Sequence, residues 1–149
     1  MKRLKAWAPA AAWMGVIFVM SAMPGDMSGE TSGTLARMVL GAVSLLFGQE
    51  AAAGIPMDMV NLFVRKGAHM TEYAVLFWLY CRALRIEGAK RPVPIALLLC
   101  VVYATTDEFH QSFVADRGPS VVDVCIDTLG AAIAWGLTEL YTSVTKKER

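Results

Sequence analysis

Four short stretches of this chain carry residues of the kinds that bind and transform charged groups. They are Arg65, Lys66, His69, Glu72 and Tyr73; then Asp107, Glu108 and Gln111; then Arg117 alone; and finally Asp123 and Asp127. A guanidinium recognises phosphate or carboxylate through paired hydrogen bonds, while an ammonium acts as a compact point charge. An imidazole beside carboxylates is equipped for general acid–base work. Imidazole and carboxylate together also suit many divalent cations, and His110 would join His69 in such a set. No HExxH and no dense ligand spacing occurs, so no metal centre and no cofactor is assigned.

Spacing groups these residues further. Arg65, His69 and Glu72 stand at i, i+4 and i+7, one stripe of a helix. Asp107 and Gln111 are four apart, as are Asp123 and Asp127, so each set turns to one side if its segment is helical.

The segments are apolar enough to be membrane helices. Of 149 residues, 56% are hydrophobic and 18% charged, against roughly 25% charged in an ordinary soluble domain. The formal charge of +1 argues against a nucleic-acid partner, which calls for a basic face. Cys81, Cys100 and Cys125 are scattered without CxxC spacing and read as packing residues. A first span covers about 6–23, after the basic Lys2, Arg3 and Lys5 and before Pro24-Gly25. A basic start before an apolar run is also the pattern of a secretory signal. Pro9, Trp7, Trp13 and Phe18 within the run, and the further spans after it, favour a retained helix. Residues 24–58 read as a long connection rich in Gly, Ser and Met. Inside it, Leu35 to Phe47 is apolar but shorter than the ~20 residues needed to cross a hydrocarbon core. An interfacial or re-entrant helix is expected there, positioned to cover whatever lies beneath. Further spans are expected at about 60–84, 93–106 and 120–144. The expected fold is one all-α domain, a polytopic membrane bundle of about four transmembrane helices plus this short helix.

Loop charges orient the bundle. The amino terminus, the 82–91 loop (Arg82, Arg85, Lys90, Arg91) and the carboxyl end (Lys146, Lys147, Arg149) are basic, whereas the 24–58 and 107–120 connections are acid-rich. Four spans with both termini cytoplasmic satisfy the positive-inside rule at every loop. The chemistry-bearing residues of three helices then meet at the outer level. Each Asp, Lys or Arg costs about 2.5–3.5 kcal/mol at a helix centre, so these groups should face the bundle interior and find partners. Five carboxylates (Glu72, Asp107, Glu108, Asp123, Asp127) face three cations (Arg65, Lys66, Arg117). Protonated carboxyls, a bound metal ion or a cationic ligand group would each restore the balance. Gly130, Ala131 and Ala134 offer small residues for close helix approach.

The run Arg65-Lys66-x-x-His69-x-x-Glu72-Tyr73, with Asp107-Glu108-x-x-Gln111-x-Phe113, Arg117, Asp123, Asp127 and Gly130 after it, resembles the VanZ-like family. So does Ser21-x-x-Pro24 at the end of the first span. The resemblance runs from about 13 to 137 and leaves the 27–58 region outside. Glu72, where an aromatic or apolar residue is frequent, and Asp127, where Asn is usual, depart from the pattern and add acid to the site. The resemblance implies a bacterial integral membrane protein of a class named for a teicoplanin-resistance protein. The expected function is an outward-facing pocket for an anionic lipid headgroup or lipid-linked envelope intermediate. Arg65, Lys66 and Arg117 would contact phosphate, and Glu72, Tyr73, Gln111 and Asp127 would complete the pocket. An alternative is a hydrolase or transferase acting on such a lipid, with His69 or Glu108 as base, Asp107 or Asp123 as orienter and Arg117 stabilising developing charge. A further reading is a structural ion-pair network, weakened by the desolvation cost of burying so many charges, and transport or proton conduction is the last.

Overall fold

Hydrocarbon offers a bare peptide group no partner, so a chain this apolar satisfies its backbone within helices. The computed structural model of the protein describes residues 2–147, and every regular element among them is helical. In order these are α1 (Lys2–Ser21), α2 (Gly25–Phe47), α3 (Gln49–Ala53), α4 (Met57–Ile86), α5 (Pro92–Gln111) and α6 (Val121–Lys147). Arg149, counted above among the basic carboxyl-end residues, lies outside the described residues.

Local chemistry sets the ends. α4 stops in a Schellman arrangement: Gly88 sits at φ 75°, its N–H bonds to the Arg85 carbonyl, and the Ala89 N–H bonds to that of Leu84 at 2.9 Å. Pro92 then opens α5, where a missing N–H costs nothing. The third expected span is longer than its apolar run: α5 carries on through Asp107 to Gln111, so the DExxQ stretch is the last turn of a helix rather than a link.

Among the described residues, three helices are long and apolar enough to cross a membrane, Arg3–Ser21, Pro92–Gln111 and Val121–Tyr141. The segment expected to be the second span differs from them. α4 has 30 residues, but Arg65, Lys66, His69 and Glu72 interrupt the apolar run. It is the central helix, packed by α1, α2, α5 and α6. Neighbouring helices partly cover Lys66, His69 and Glu72, while Arg65 stays exposed.

Contacts along the helices give their directions. Trp13 donates its indole N–H to the Glu72 carbonyl at 2.9 Å, and the Trp7 ring meets Tyr80, so α1 runs against α4. Lys66 pairs with Asp123 and the Met70 backbone meets Gly130, so α6 runs with α4. Tyr103 donates to the Met14 carbonyl at 2.6 Å and Ser21 reaches Asp107, so α1 and α5 are parallel. The amino terminus, the 87–91 turn and the far end of α6 therefore share one end of the bundle. The residues singled out for chemistry gather at the other.

Between these ends lies a dry core in which Tyr73, Leu76, Phe77, Tyr80 and Cys81 of α4 press on Ala96, Cys100 and Ala104 of α5, with Ala10 and Ile17 of α1. Small residues every four along α5 admit the aromatic rings of α4.

The 24–58 region is mostly helix. α2 has 23 residues, ten more at its start than the expected Leu35–Phe47 piece. Its Gly- and Ser-rich beginning looks like a loop by propensity. The hydroxyls nevertheless bond back within the helix, Thr31 to Met27, Ser32 to Ser28 and Thr34 to Glu30, and Ser32 and Ala36 are buried where α2 packs on α4. Tertiary packing overrides weak propensity here.

A Cβ on Gly130 would stand 2.7 Å from the Met70 Cα, whereas one on Gly136 would meet nothing within 4 Å. Gly130→Val should therefore force α4 and α6 apart and cost more than the ~1–3 kcal/mol of ordinary overpacking. Gly136→Ala should be neutral or gain up to ~1 kcal/mol. Thermal unfolding in detergent, followed by size-exclusion chromatography, compares the two.

Candidate functional site

The last turn of α5 buries three polar side chains, Asp107, Glu108 and Gln111. One Asp107 carboxylate oxygen accepts from the Ser21 hydroxyl at 2.7 Å and from the Gln111 amide at 3.0 Å. The Gln111 carbonyl oxygen in turn accepts from Arg117 Nη1 at 3.0 Å. A single chain of bonds thus ties the end of α1 to α5 and to the link that precedes α6. Glu108 accepts the Ser120 backbone N–H at 2.5 Å, a carboxylate placed where the unpaired amides and positive pole of α6 begin. Lys66 forms a salt bridge with Asp123 between α4 and α6.

Three carboxylates are therefore engaged in holding helix ends together. Asp107 and Asp123, expected as orienters of a base, and Glu108, expected as a base, are occupied in this way. The groups facing His69 are different ones. Its Nδ1 lies 3.6 Å from Glu72 Oε2 and 3.9 Å from Asp127 Oδ1, and all three atoms are buried without a hydrogen-bond partner. His110 does not join them: it stacks on Phe18 with ring centroids 4.3 Å apart. Among the described residues, no group of three or more His, Cys, Asp or Glu is arranged to hold a metal ion. Tyr73 is fully buried in the core beneath the site, its hydroxyl unpaired, and lines neither of the cavities described next.

Two cavities meet around His69. One, of about 100 Å³, has an apolar wall of Met20, Met23, Leu35 and Val64, with Ser28, Thr31 and Ser32 of α2 beside it. The other, of about 90 Å³, is polar and reaches Gln111, Asp116, Gly118 and Asp123. Arg65, His69 and Arg117 line both. Neither arginine forms a salt bridge among the described residues. Asp58 shares a separate small cavity with Arg65 without pairing to it. Burial, and the Arg65 charge near it, lower the pKa of Arg117 from the ordinary guanidinium value. The carboxylate excess of the sequence thus coexists with two arginines that form no salt bridge among the described residues, with Asp107, Glu108 and Asp123 committed elsewhere.

α2 covers the apolar cavity with its first half, residues 28–35, rather than with the expected 35–47 stretch. Ser28, Thr31, Ser32 and Leu35 fall at i, i+3, i+4 and i+7, a pattern visible in the sequence once the region is taken as helix. Ser21 was likewise legible as a polar residue closing an apolar run. Nothing in sequence spacing pointed to its bond with Asp107, 86 residues away.

A family model described as VanZ/LLP1 matches residues 6–142, nearly the whole chain. The protein belongs to the VanZ/LLP1 family. No curated protein and no solved structure matches it. The match runs through the 27–58 region that the motif resemblance left aside, so α2 lies within the VanZ/LLP1 unit. With three helices suited to cross a bilayer, this VanZ/LLP1 chain is a multi-pass membrane protein.

Ser21 and Gln111 donate to the same Asp107 oxygen. Ser21→Ala and Gln111→Leu should each cost about 1–3 kcal/mol by leaving a buried carboxylate underbonded. Their combined cost should depart from additivity by about 0.5 kcal/mol or more. A double-mutant cycle on unfolding in detergent tests this.

Proposed function

We propose that the paired cavities bind the anionic headgroup of a lipid, or of a lipid-linked cell-envelope intermediate, at the outer face of the bacterial cytoplasmic membrane. The observation that carries this reading is the placement of Arg65 and Arg117. Two guanidinium groups line both cavities, Arg117 partly buried and Arg65 exposed, with no carboxylate partner among the described residues. Like charges placed close together repel, and a phosphate that accepts bonds from both offsets the repulsion. The apolar wall of Met20, Met23, Leu35 and Val64 suits the first part of a hydrocarbon chain. Lys66, already paired with Asp123, contributes charge at the rim more than a contact. A role in glycopeptide (teicoplanin-type) resistance follows if the bound molecule is an envelope intermediate.

The basic end of the bundle faces the cytoplasm on this reading, with four passes and both termini inside. In a cysteine-free background, Gly118→Cys should react with an impermeant maleimide in intact cells, and Lys90→Cys only after permeabilisation. The reverse pattern would invert the site.

Native mass spectrometry of the purified protein should show retention of anionic phospholipid over phosphatidylcholine. Arg65→Gln or Arg117→Gln should each weaken that retention by about ten-fold or more, the worth of a charge-assisted bond of ~1.5–3 kcal/mol. Equal retention of both lipids by the wild-type protein would sink the headgroup reading. Expression in a susceptible strain, with and without the two substitutions, tests the link to teicoplanin.

A further inference from the structure

His69 is the one titratable group that touches both cavities and is not a permanent cation. Two carboxyl groups approach its ring. Nδ1 is buried and faces Glu72 Oε2 at 3.6 Å and Asp127 Oδ1 at 3.9 Å, while the side chain also lines both cavities beside Arg65 and Arg117. A carboxylate on the Nδ1 side favours the tautomer with its proton there, which leaves the Nε2 lone pair for the cavity. Asp127 is only 3% exposed, and its Oδ1 has no partner other than this approach. Unpartnered buried acceptors of this kind call for an explanation, and long contacts to an imidazole that tighten when a ligand binds supply one.

We infer that the site hydrolyses the terminal phosphoryl group of a lipid phosphate, with His69 as the general base. The inference rests on the headgroup reading above, since the same two arginines hold the phosphoryl oxygens. A water in the polar cavity gives its proton to His69 Nε2 as its oxygen bonds to phosphorus. The bond from phosphorus to the bridging oxygen breaks, and that oxygen takes a proton from solvent through the open polar side. Orthophosphate leaves, and His69 returns its proton to solvent. The other product is a lipid alcohol from a monoester, or a lipid monophosphate from a diphosphate. Arg65 and Arg117 neutralise charge on the phosphoryl oxygens in the transition state. Glu72 and Asp127 are positioning residues, acting through the imidazole.

The test uses the full chain in mixed micelles, with dioleoyl phosphatidic acid and farnesyl diphosphate as probes. Orthophosphate release and native mass spectrometry of the bound probe are followed in parallel. The wild-type protein should release orthophosphate from at least one probe and incorporate one oxygen from ¹⁸O-water into it. His69→Ala should lower the rate at least about 100-fold while the probe still binds. Asp127→Leu should lower kcat with KM little changed, and Asp127→Asn, which keeps an Oδ1 acceptor, should restore most of it. Binding of both probes without orthophosphate release, or release that persists in His69→Ala, overturns the hydrolase inference and leaves the binder standing. Failure of the wild-type protein to hold either probe overturns the headgroup reading, and this inference with it.

Discussion

The structure depends on how α4 carries four ionisable residues within two turns of helix. Lipid cannot solvate Arg65, Lys66, His69 and Glu72, and each would oppose insertion if left facing it. Four other helices pack against α4, and Lys66, His69 and Glu72 are partly covered while Arg65 stays exposed. Most further features follow from this one demand. Asp123 of α6 must stand where Lys66 can reach it, and Gly130 must lack a side chain so that α6 can lie against the Met70 backbone. Aromatic residues one and two turns further along α4 seal the site from the basic end by filling the space beside small residues of α5.

Polar bonds at the closed end of the site are used mainly to join helix ends. Asp107 gathers Ser21 and Gln111, Glu108 receives an amide at the start of α6, and Gln111 orients Arg117. In a low-dielectric setting such bonds are strong when complete and costly when broken. They fix the position of the link carrying Arg117, and the backbone bond from Gly25 to Ala115 extends the same frame to α2. Arg117 is thereby fixed beside Arg65, and neither forms a salt bridge among the described residues.

α2 shows how surface chemistry and position interact. Its first half contributes hydroxyls and Leu35 to the cavity, whereas Met38, Val39, Leu45, Leu46 and Phe47 point away from the bundle and are exposed. A helix that is apolar on both sides belongs beside lipid, and this one packs on α4 alone among the long helices. The apolar cavity is therefore bounded by the one long helix among the described residues that packs on a single other long helix.

Much of this was legible in the chain itself. Apolar runs of about span length, basic clusters at alternate ends and i, i+4 pairs of acids were enough to expect helices, their alternating directions and a polar end, because helical period and desolvation cost act locally and are written in composition. The family signature pointed to the same residues. Partner choice was another matter. That Asp107 meets Ser21, that Glu108 meets the Ser120 amide, and that His69 faces Glu72 and Asp127 rather than Asp107 or Asp123 depends on rotations and offsets between helices far apart in sequence. Those offsets are set by how closely Gly130, Ala96 and Cys100 let backbones approach. Counting charges along the chain suggested surplus acid. Only the folded arrangement, by committing most of those acids to helix ends, left the two arginines facing open space.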